Sequence, residues 1–323
     1  MADKCSQDSC FPDDTGCNIE GCDNFTDCKY YNAILLDGEE INNVGGDFTK
    51  VSWTGNSFGL EDLKFLTASS KTIMVGVTGA ASAGKTTFLA SLYCLIRNGE
   101  KIGDYDFAGS LTLNGWEDIA WYLGWTDKGK VQFPPHTTNN AGRVPGLLHL
   151  ALRNSTNEKI NLIFTDAPGE WFDHWRNNTG GESSKGAKWI HENSNAFLLF
   201  ADCEMLCGEE RGIAKLQINS VADRLLEYIH NRPLGLIWSK SDVIIKDVTK
   251  DQILEHIKQN VPIYFNNFET SVKGGVDNVF HKNILRSVEW LIDSMISTKN
   301  RELEIPSLIP DDLFLSKRLI NGR

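Results

Sequence analysis

The sequence predicts an α/β domain built on a mostly parallel six-stranded sheet with helices on both faces, preceded by a small Cys-rich segment. From residue 71 onward, short β-branched runs alternate with amphipathic stretches, a pattern typical of parallel strands joined by crossover helices. These runs are apolar along most of their length, as expected of strands buried on both faces. Five cysteines crowd the first 28 residues, whereas the other three are scattered. The chain therefore divides into a short leader and a larger α/β domain.

The individual elements follow from the same patterns. Strands are predicted at residues 72–78, 144–152, 159–166, 195–203, 234–240 and 262–270. Helices are predicted at residues 86–97, 116–123, 214–231, 251–259 and 283–297. We divide the chain into a Cys-rich segment (1–30), an N-terminal extension (31–70), the α/β domain (71–298) and a C-terminal extension (299–323).

Composition limits the function classes. The 323 residues, 41% of them hydrophobic, allow one domain of ordinary size with extra segments, or at most two compact domains. A formal net charge of -11 opposes nonspecific binding to phosphate backbones. No run of about 18 apolar residues occurs, and the opening MADKCSQDSC lacks the basic and apolar parts of a signal peptide. We therefore expect a cytoplasmic protein that neither spans a membrane nor binds nucleic acid directly.

The cysteines of the leader are candidate zinc ligands. In a reducing cytosol, clustered thiols hold a metal more often than they pair as disulfides, and four thiolates around Zn²⁺ can fold a segment that has few apolar residues. The spacing is wider than the C-x2-C pair of common zinc modules, and one of the five is spare. The alternative is a disordered acidic leader. The candidates are Cys5, Cys10, Cys17, Cys22 and Cys28.

A glycine-rich loop provides the strongest functional signal. It satisfies GxxxxGK[ST] directly after one predicted strand and directly before a predicted helix. Backbone N–H groups of such a loop bind the β-phosphate of a nucleotide, Lys85 bridges the β- and γ-phosphates, and the Thr86 hydroxyl binds Mg²⁺. The alternative is a chance match, which this position in the chain disfavours. The predicted nucleotide-binding residues are Gly79, Ala80, Ala81, Ser82, Ala83, Gly84, Lys85, Thr86 and Thr87. The sequence therefore predicts a P-loop NTPase.

A second motif, DxxG, follows the predicted strand at residues 159–166. Asp166 would hold Mg²⁺ through water, and the amide of Gly169 would contact the γ-phosphate and lose that contact after hydrolysis. Asp and Gly end many strands, so the motif is weak by itself. Its position gives it weight, because one predicted strand separates it from the strand that precedes the P-loop, as in GTPases.

The segment from Ser239 to Asp242 is predicted to select guanine. It matches the [NT]KxD of GTPases, with Ser239 in place of Asn or Thr. The Asp242 carboxylate can accept hydrogen bonds from N1–H and the exocyclic amine of guanine, and Lys240 would lie over the base. The alternative is a surface turn. One strand later, the segment Glu269-Thr-Ser-Val-Lys273 resembles the [ST]A[KL] segment whose backbone contacts guanine O6, with Ser271 and Val272 as the predicted contacts.

The residues that would support hydrolysis are less regular. Between residues 103 and 144 we expect the first switch, where Thr137 or Thr138 completes the Mg²⁺ shell; we prefer Thr137. Glu170 stands where many GTPases place a water-orienting Gln, so turnover is expected to be slow. The predicted catalytic residues are Lys85, Thr137, Gly169 and Glu170. Tryptophans at 116, 121, 125, 171 and 175 either pack the domain or form a partner surface.

These motifs together resemble the TRAFAC-class, Ras-like P-loop GTPases, and within them the bacterial double-GTPase proteins of conflict and anti-phage systems. The likeness lies in CNIEGC and DCKYY of the leader, in WTGNSFGLEDL before the first strand, and in the P-loop with DAPGEWF. The resemblance implies a regulatory GTPase that converts GTP to GDP beside protein partners in a bacterial defence or signalling system. This chain departs from the pattern at Ser239, at Glu170 and in its extra cysteine.

Two other functions fit the same motifs. A nucleotide-stabilised scaffold would bind GTP without significant hydrolysis. A P-loop ATPase or small-molecule kinase would prefer ATP and would carry an Arg-rich lid, of which the sequence has none.

Overall fold

We describe a computed structural model of the chain. It covers residues 70–123, 146–177, 180–181, 184–227, 229–259, 264–273 and 278–297, together with Phe58, Leu63 and Leu66. The predicted zinc ligands, Thr137, Thr138, Trp125 and the C-terminal extension lie outside these described residues.

Seven strands form one sheet, in the order β2-β3-β4-β1-β5-β6-β7. Their bounds are β1 Lys71–Thr78, β2 Asp106–Gly109, β3 Gly146–Arg153, β4 Lys159–Asp166, β5 Ala196–Asp202, β6 Leu234–Ser239 and β7 Phe265–Glu269. Strands β4, β1, β5, β6 and β7 run parallel, whereas β3 is antiparallel to β4 and β2 is antiparallel to β3. The mostly parallel α/β sheet is confirmed.

The count of six strands was wrong by one. All six predicted strands are present, and β2 is the addition. It is a four-residue edge strand, DFAG, that is largely exposed. An exposed edge strand needs no continuous apolar run, so its sequence gives no strand pattern.

Eight helices lie among the described residues. Their bounds are α1 Lys85–Arg97, α2 Leu113–Trp121, α3 Gly169–Asn177, α4 Lys185–Asn193, α5 Cys203–Cys207, α6 Arg211–Glu227, α7 Asp247–Lys258 and α8 Val279–Ser297. The five predicted helices correspond to α1, α2, α6, α7 and α8, with ends displaced by up to four residues. Helices α3, α4 and α5 were missed because they are short, and α5 begins directly after β5. No described helix has both the length and the apolar character required to cross a membrane.

Helices cover both faces of the sheet, each over its own core. On one face, α1, α2 and α8 bury Trp116, Phe164 and Phe200 with the sheet. On the other, α3, α4, α6 and α7 bury Phe172, Phe197 and Trp238. Two-sided burial explains why the central strands are apolar at nearly every position.

The tryptophans divide between packing and exposure. Trp116 is fully buried and stacks on Tyr93 with ring centroids 5.7 Å apart. Trp171 and Trp175 are buried under α3. Trp121 is 81% exposed. The packing interpretation therefore holds for the first three and fails for Trp121.

Part of the predicted N-terminal extension packs on the domain. The Phe58 amide donates to the Leu147 carbonyl at 2.9 Å, and the Phe58 side chain is buried. Leu66 joins the same small cluster, with Met74 and Ile163 of the sheet. These contacts explain why apolar residues precede the first strand.

Candidate functional site

The predicted motifs meet in one cleft of about 440 Å³. The segments that line it follow the carboxyl ends of the parallel strands β1, β4, β6 and β7, the edge at which α/β sheets bind ligands. Sequence-predicted residues that line it are Ala81, Ser82, Ala83, Gly84, Lys85, Thr86, Thr87, Gly169, Glu170, Ser239, Lys240, Asp242, Ser271 and Val272. Segments that are far apart in sequence thus share one surface.

The glycine-rich loop carries β1 into α1. Gly84 has a φ of 82° and precedes the first residue of α1, a left-handed conformation that glycine adopts at no steric cost. Gly84 has no side chain with which to cap the helix. The first residues of α1 line the cleft, and the amino end of a helix attracts an anion. The loop geometry suits a phosphate group.

Lys85 lies inside this loop. Its side chain is 6% exposed, and Nζ donates to the Gly79 carbonyl at 3.0 Å and to the Ala80 carbonyl at 2.8 Å. Burial lowers the pKa of Lys85 to about 8, although the carboxylates of Asp166, Glu170 and Asp173 oppose that shift. The loop therefore holds a partly desolvated cation that gains from an incoming anion.

Thr86 and Asp166 bring two hard oxygen ligands together. The Thr86 hydroxyl donates to Asp166 Oδ1 at 2.9 Å, and Asp166 is largely buried at the end of β4. Within the described residues, no group of three or more His, Cys, Asp or Glu side chains is placed to hold a metal. A Mg²⁺ site needs only one or two protein oxygens when phosphate oxygens and water complete it, so this pair fits that ion.

Gly169 touches the glycine-rich loop at the start of α3. A Cβ atom built there would lie 2.2 Å from the Ala81 nitrogen and 2.5 Å from the Ala80 carbonyl carbon. No real Cβ atom tolerates such distances, so only glycine allows this approach. One turn on, the Phe172 ring lies 5.9 Å from Lys85 Nζ. Helix α3 is thus packed directly against the phosphate end of the cleft.

Asp173 is an acidic residue that the sequence analysis missed. Burial raises its pKa, and the charges of Arg176 and Lys85 oppose that shift. Asp173 Oδ1 lies 3.2 Å from Arg176 Nε, and both atoms are buried without hydrogen-bond geometry. The residue is four positions after Gly169, on the same helical side. The shared position of Asp173 and Gly169 on one side of α3 becomes evident only once residues 169–177 are known to be helical.

Elsewhere in the cleft, both carboxylate oxygens of Asp242 accept hydrogen bonds. Ser271 Oγ donates to Oδ1 at 2.6 Å, and Lys273 Nζ donates to Oδ2 at 2.6 Å. Burial acts to raise the pKa of Asp242, but hydrogen bonds from Lys273 and Ser271 outweigh it and lower that pKa. Asp242 is therefore a fixed carboxylate acceptor. Lys273 also lines the cleft; it ends the predicted [ST]A[KL]-like segment but was not among the predicted binding residues.

Lys240 lies beside Asp242 with its ammonium group between two carboxylates. Its Nζ donates to Asp202 Oδ2 at 2.7 Å and to Glu204 Oε2 at 2.9 Å. Neither acid was predicted, although Asp202 falls at the end of a predicted strand. Ser239, which replaces Asn or Thr, donates to the Ala201 carbonyl at 3.2 Å. A Cβ on Gly84 would lie 3.5 Å from that of Ser239, so the glycine-rich loop passes close to the end of β6.

The chain matches the model of a known protein family. The model of the Double-GTPase 2 family matches residues 73–284, from β1 into α8. The chain is similar to nucleolar GTP-binding protein 1 of Plasmodium falciparum, with 14% identity over 71% of this chain and 91% of that chain, at a TM-score of 0.40. A variant of SsGBP shows 13% identity over 75% of this chain and 62% of that chain, also at 0.40. Both structural likenesses are too distant to carry an argument. No curated protein matches significantly.

Proposed function

The chain belongs to the Double-GTPase 2 family, and from this premise we propose that it binds Mg·GTP in the cleft and slowly hydrolyses it to GDP and phosphate as a regulatory switch. One observation carries the proposal: Asp242 and residues 81–86 of the glycine-rich loop line the same cleft. A nucleotide joins a base to phosphates through a ribose, which suits a cleft that both segments line.

Selection of guanine rests on Asp242. Its two oxygens accept from N1–H and the exocyclic amine of guanine, whereas adenine presents no such pair of donors. Ser271 can keep its bond to Oδ1, because each carboxylate oxygen accepts more than one hydrogen bond. Lys273, whose side chain is 71% exposed, is the group that moves aside.

At the phosphate end, the chain supplies a cation and backbone donors. Lys85 exchanges its bonds to the Gly79 and Ala80 carbonyls for phosphate oxygens, and the amino end of α1 adds N–H donors. Thr86 and Asp166 would hold Mg²⁺, which neutralises charge on the phosphate oxygens. The expected cofactors are thus GTP or GDP with Mg²⁺.

Hydrolysis and switching depend on α3. Gly169 lies against the glycine-rich loop, and its amide would donate to a γ-phosphate and lose that partner once phosphate leaves. Glu170 lines the cleft as a carboxylate that accepts a proton from water but is repelled by the triphosphate. This repulsion is our reason for proposing slow turnover.

The cellular role extends beyond the cleft. We propose that this cytoplasmic protein acts with protein partners in a bacterial defence or signalling system, without direct nucleic-acid binding, and that its leader cysteines hold Zn²⁺. The support is the family membership and the acidic composition. Metal analysis of the purified full-length protein that finds no zinc removes the zinc proposal. Capture of bacterial proteins on this chain loaded with a nonhydrolysable GTP analogue, but not with GDP, supports the partner proposal.

Nucleotide selectivity gives the decisive test of the GTPase proposal. By calorimetry with Mg²⁺, the wild-type protein is expected to bind GTP far more tightly than ATP. Asp242→Asn is expected to weaken GTP binding by roughly tenfold or more and to favour XTP, whose ring presents an acceptor to the new amide. Asp251→Asn removes an exposed acid on α7 and serves as the control. Equal binding of GTP by Asp242→Asn and wild type contradicts the assignment.

The two other functions predict different results. A scaffold binds GTP but releases no phosphate, even with partners added. An ATPase binds ATP more tightly than GTP, and its affinity is indifferent to Asp242→Asn. Phosphate release measured with both nucleotides separates all three.

A further inference from the structure

We propose that Asp202, assisted by Glu204, is a positioning residue that holds Lys240 against the face of the purine ring. This inference rests on the proposed function, because it assigns a role within the same nucleotide site. It concerns the face of the base, whereas Asp242 reads the edge.

Asp202 uses its two oxygens for different purposes. It is the last residue of β5, and its side chain is only 7% exposed. Oδ1 accepts from the amides of Glu204 and Met205 at 2.9 and 3.3 Å, which caps α5. Oδ2 accepts from Lys240 Nζ at 2.7 Å. A helix cap requires only the first oxygen, so the second contact needs a separate explanation.

The backbone at Lys240 indicates that it is held in place. Its φ is 55°, a left-handed conformation that is unfavourable for a residue with a side chain. The pairing of Asp202 with Ser239 between β5 and β6 places the acid beside this strained residue. The ion pair with Asp202 ties the far end of the Lys240 side chain to the end of the neighbouring strand, β5. Both ends of the side chain are thereby fixed.

A fixed lysine stem offers a surface to an aromatic ring. Lys240 is 34% exposed at the side chain and lines the cleft, so its methylene groups are available to a base while its ammonium remains paired. A lysine that is free to rotate would lose rotamer entropy on binding a base. The ion pair with Asp202 fixes the Lys240 side chain before the base binds, so that entropy is not lost on binding. Glu204 is 66% exposed, so it contributes less than Asp202.

The test compares ligands that share only part of the nucleotide. GTP, ITP and inorganic tripolyphosphate are titrated into wild type and Asp202→Asn; the amide oxygen keeps the helix cap, while its nitrogen cannot accept from Lys240. We expect GTP and ITP each to bind about tenfold more weakly, by the same factor, with tripolyphosphate unchanged. ITP lacks the exocyclic amine, so an effect on the ring face leaves the GTP-to-ITP ratio constant. We expect kcat to stay at its wild-type value while KM rises.

Further variants keep the test valid if Asp202→Asn folds poorly. Glu204→Gln, which leaves the cap intact, should weaken both nucleotides by about threefold or less, and the exposed Glu210→Gln should change neither. Lys240→Met keeps the methylene stem but removes the ammonium. If Asp202 acts through Lys240, adding Asp202→Asn to Lys240→Met causes no further loss of GTP affinity.

If the wild-type protein prefers GTP, three results would overturn the proposed role of Asp202 alone. They are wild-type GTP affinity in Asp202→Asn, an equal loss of tripolyphosphate binding, and a changed ratio of GTP to ITP affinity. If the wild-type protein binds tripolyphosphate but does not prefer GTP, the proposed function fails, and the role of Asp202 fails with it.

Discussion

The two proposed ends of the cleft differ in how their charged groups are arranged. At the phosphate end, one buried cation, Lys85, is held by backbone carbonyls of its own loop. At the proposed base end, charged side chains at or just after the ends of β5, β6 and β7 form ion pairs: Asp202, Glu204, Lys240, Asp242 and Lys273. In the proposed site, phosphate contacts come mainly from one loop, whereas base selection involves residues at three strand ends. Loss of Lys85 should therefore weaken GTP and ATP equally, whereas loss of Asp242 should alter the choice between bases.

The largest effect is expected from Lys85→Met. Turnover of GTP should fall on the order of 1,000-fold, because the cation that faces the transferred phosphate is lost. Affinities for GTP and ATP should fall by the same factor. The free energy of unfolding should not decrease, since the buried ammonium is costly to desolvate. Steady-state phosphate release and thermal melts check both statements, and a variant that loses GTP binding alone would break the comparison.

Gly169→Ala comes next. Its new Cβ cannot fit beside the Ala81 backbone, so α3 must move away from the loop. We expect kcat to fall on the order of 100-fold through misplacement at the reacting end, with GDP affinity nearly unchanged. Gly212→Ala on α6 is the matched control, because nothing lies within 4 Å of a Cβ there. Wild-type turnover in Gly169→Ala would show that this contact has no part in hydrolysis.

The pH dependence tests the phosphate end without mutating it. In the free protein, burial lowers the pKa of Lys85 to about 8. Bound phosphates favour the ammonium form, so affinity is complete below that pKa and declines as pH rises through it. GDP affinity should fall about tenfold between pH 7 and 9. Lys85→Arg does not titrate in this range, and its pH profile corrects for titration of the guanine ring.

The smallest effect is expected at the exposed base-end pair. Lys273→Met removes a group that competes with guanine for Asp242 Oδ2. GTP affinity should rise by less than about fivefold, and the gain should shrink at high salt, because exposed ion pairs are screened. Calorimetry at two ionic strengths measures this change. A loss of affinity would instead show that Lys273 contacts the bound nucleotide.

The difference between the two ends also explains which residues could be predicted from the sequence. The phosphate loop is contiguous, so GxxxxGK[ST] between a strand and a helix identifies Lys85 and Thr86 at once. The motif pointed to Asp242, but its ion pair with Lys273, 31 residues away, was not predicted. Asp202 was missed because an acid at a strand end has no distinctive pattern until its partner is known.

Local order in the sequence was enough to predict part of this structure. Apolar runs predicted the six principal strands, and the small residues before Lys85 predicted a glycine-rich loop between β1 and α1. Long-range packing, by contrast, brings Gly169 against Ala81, pairs Asp202 with Lys240 and adds β2 to the sheet. Such contacts join residues far apart in the chain, so their distances are set by sheet register and helix packing rather than by the spacing of residue types.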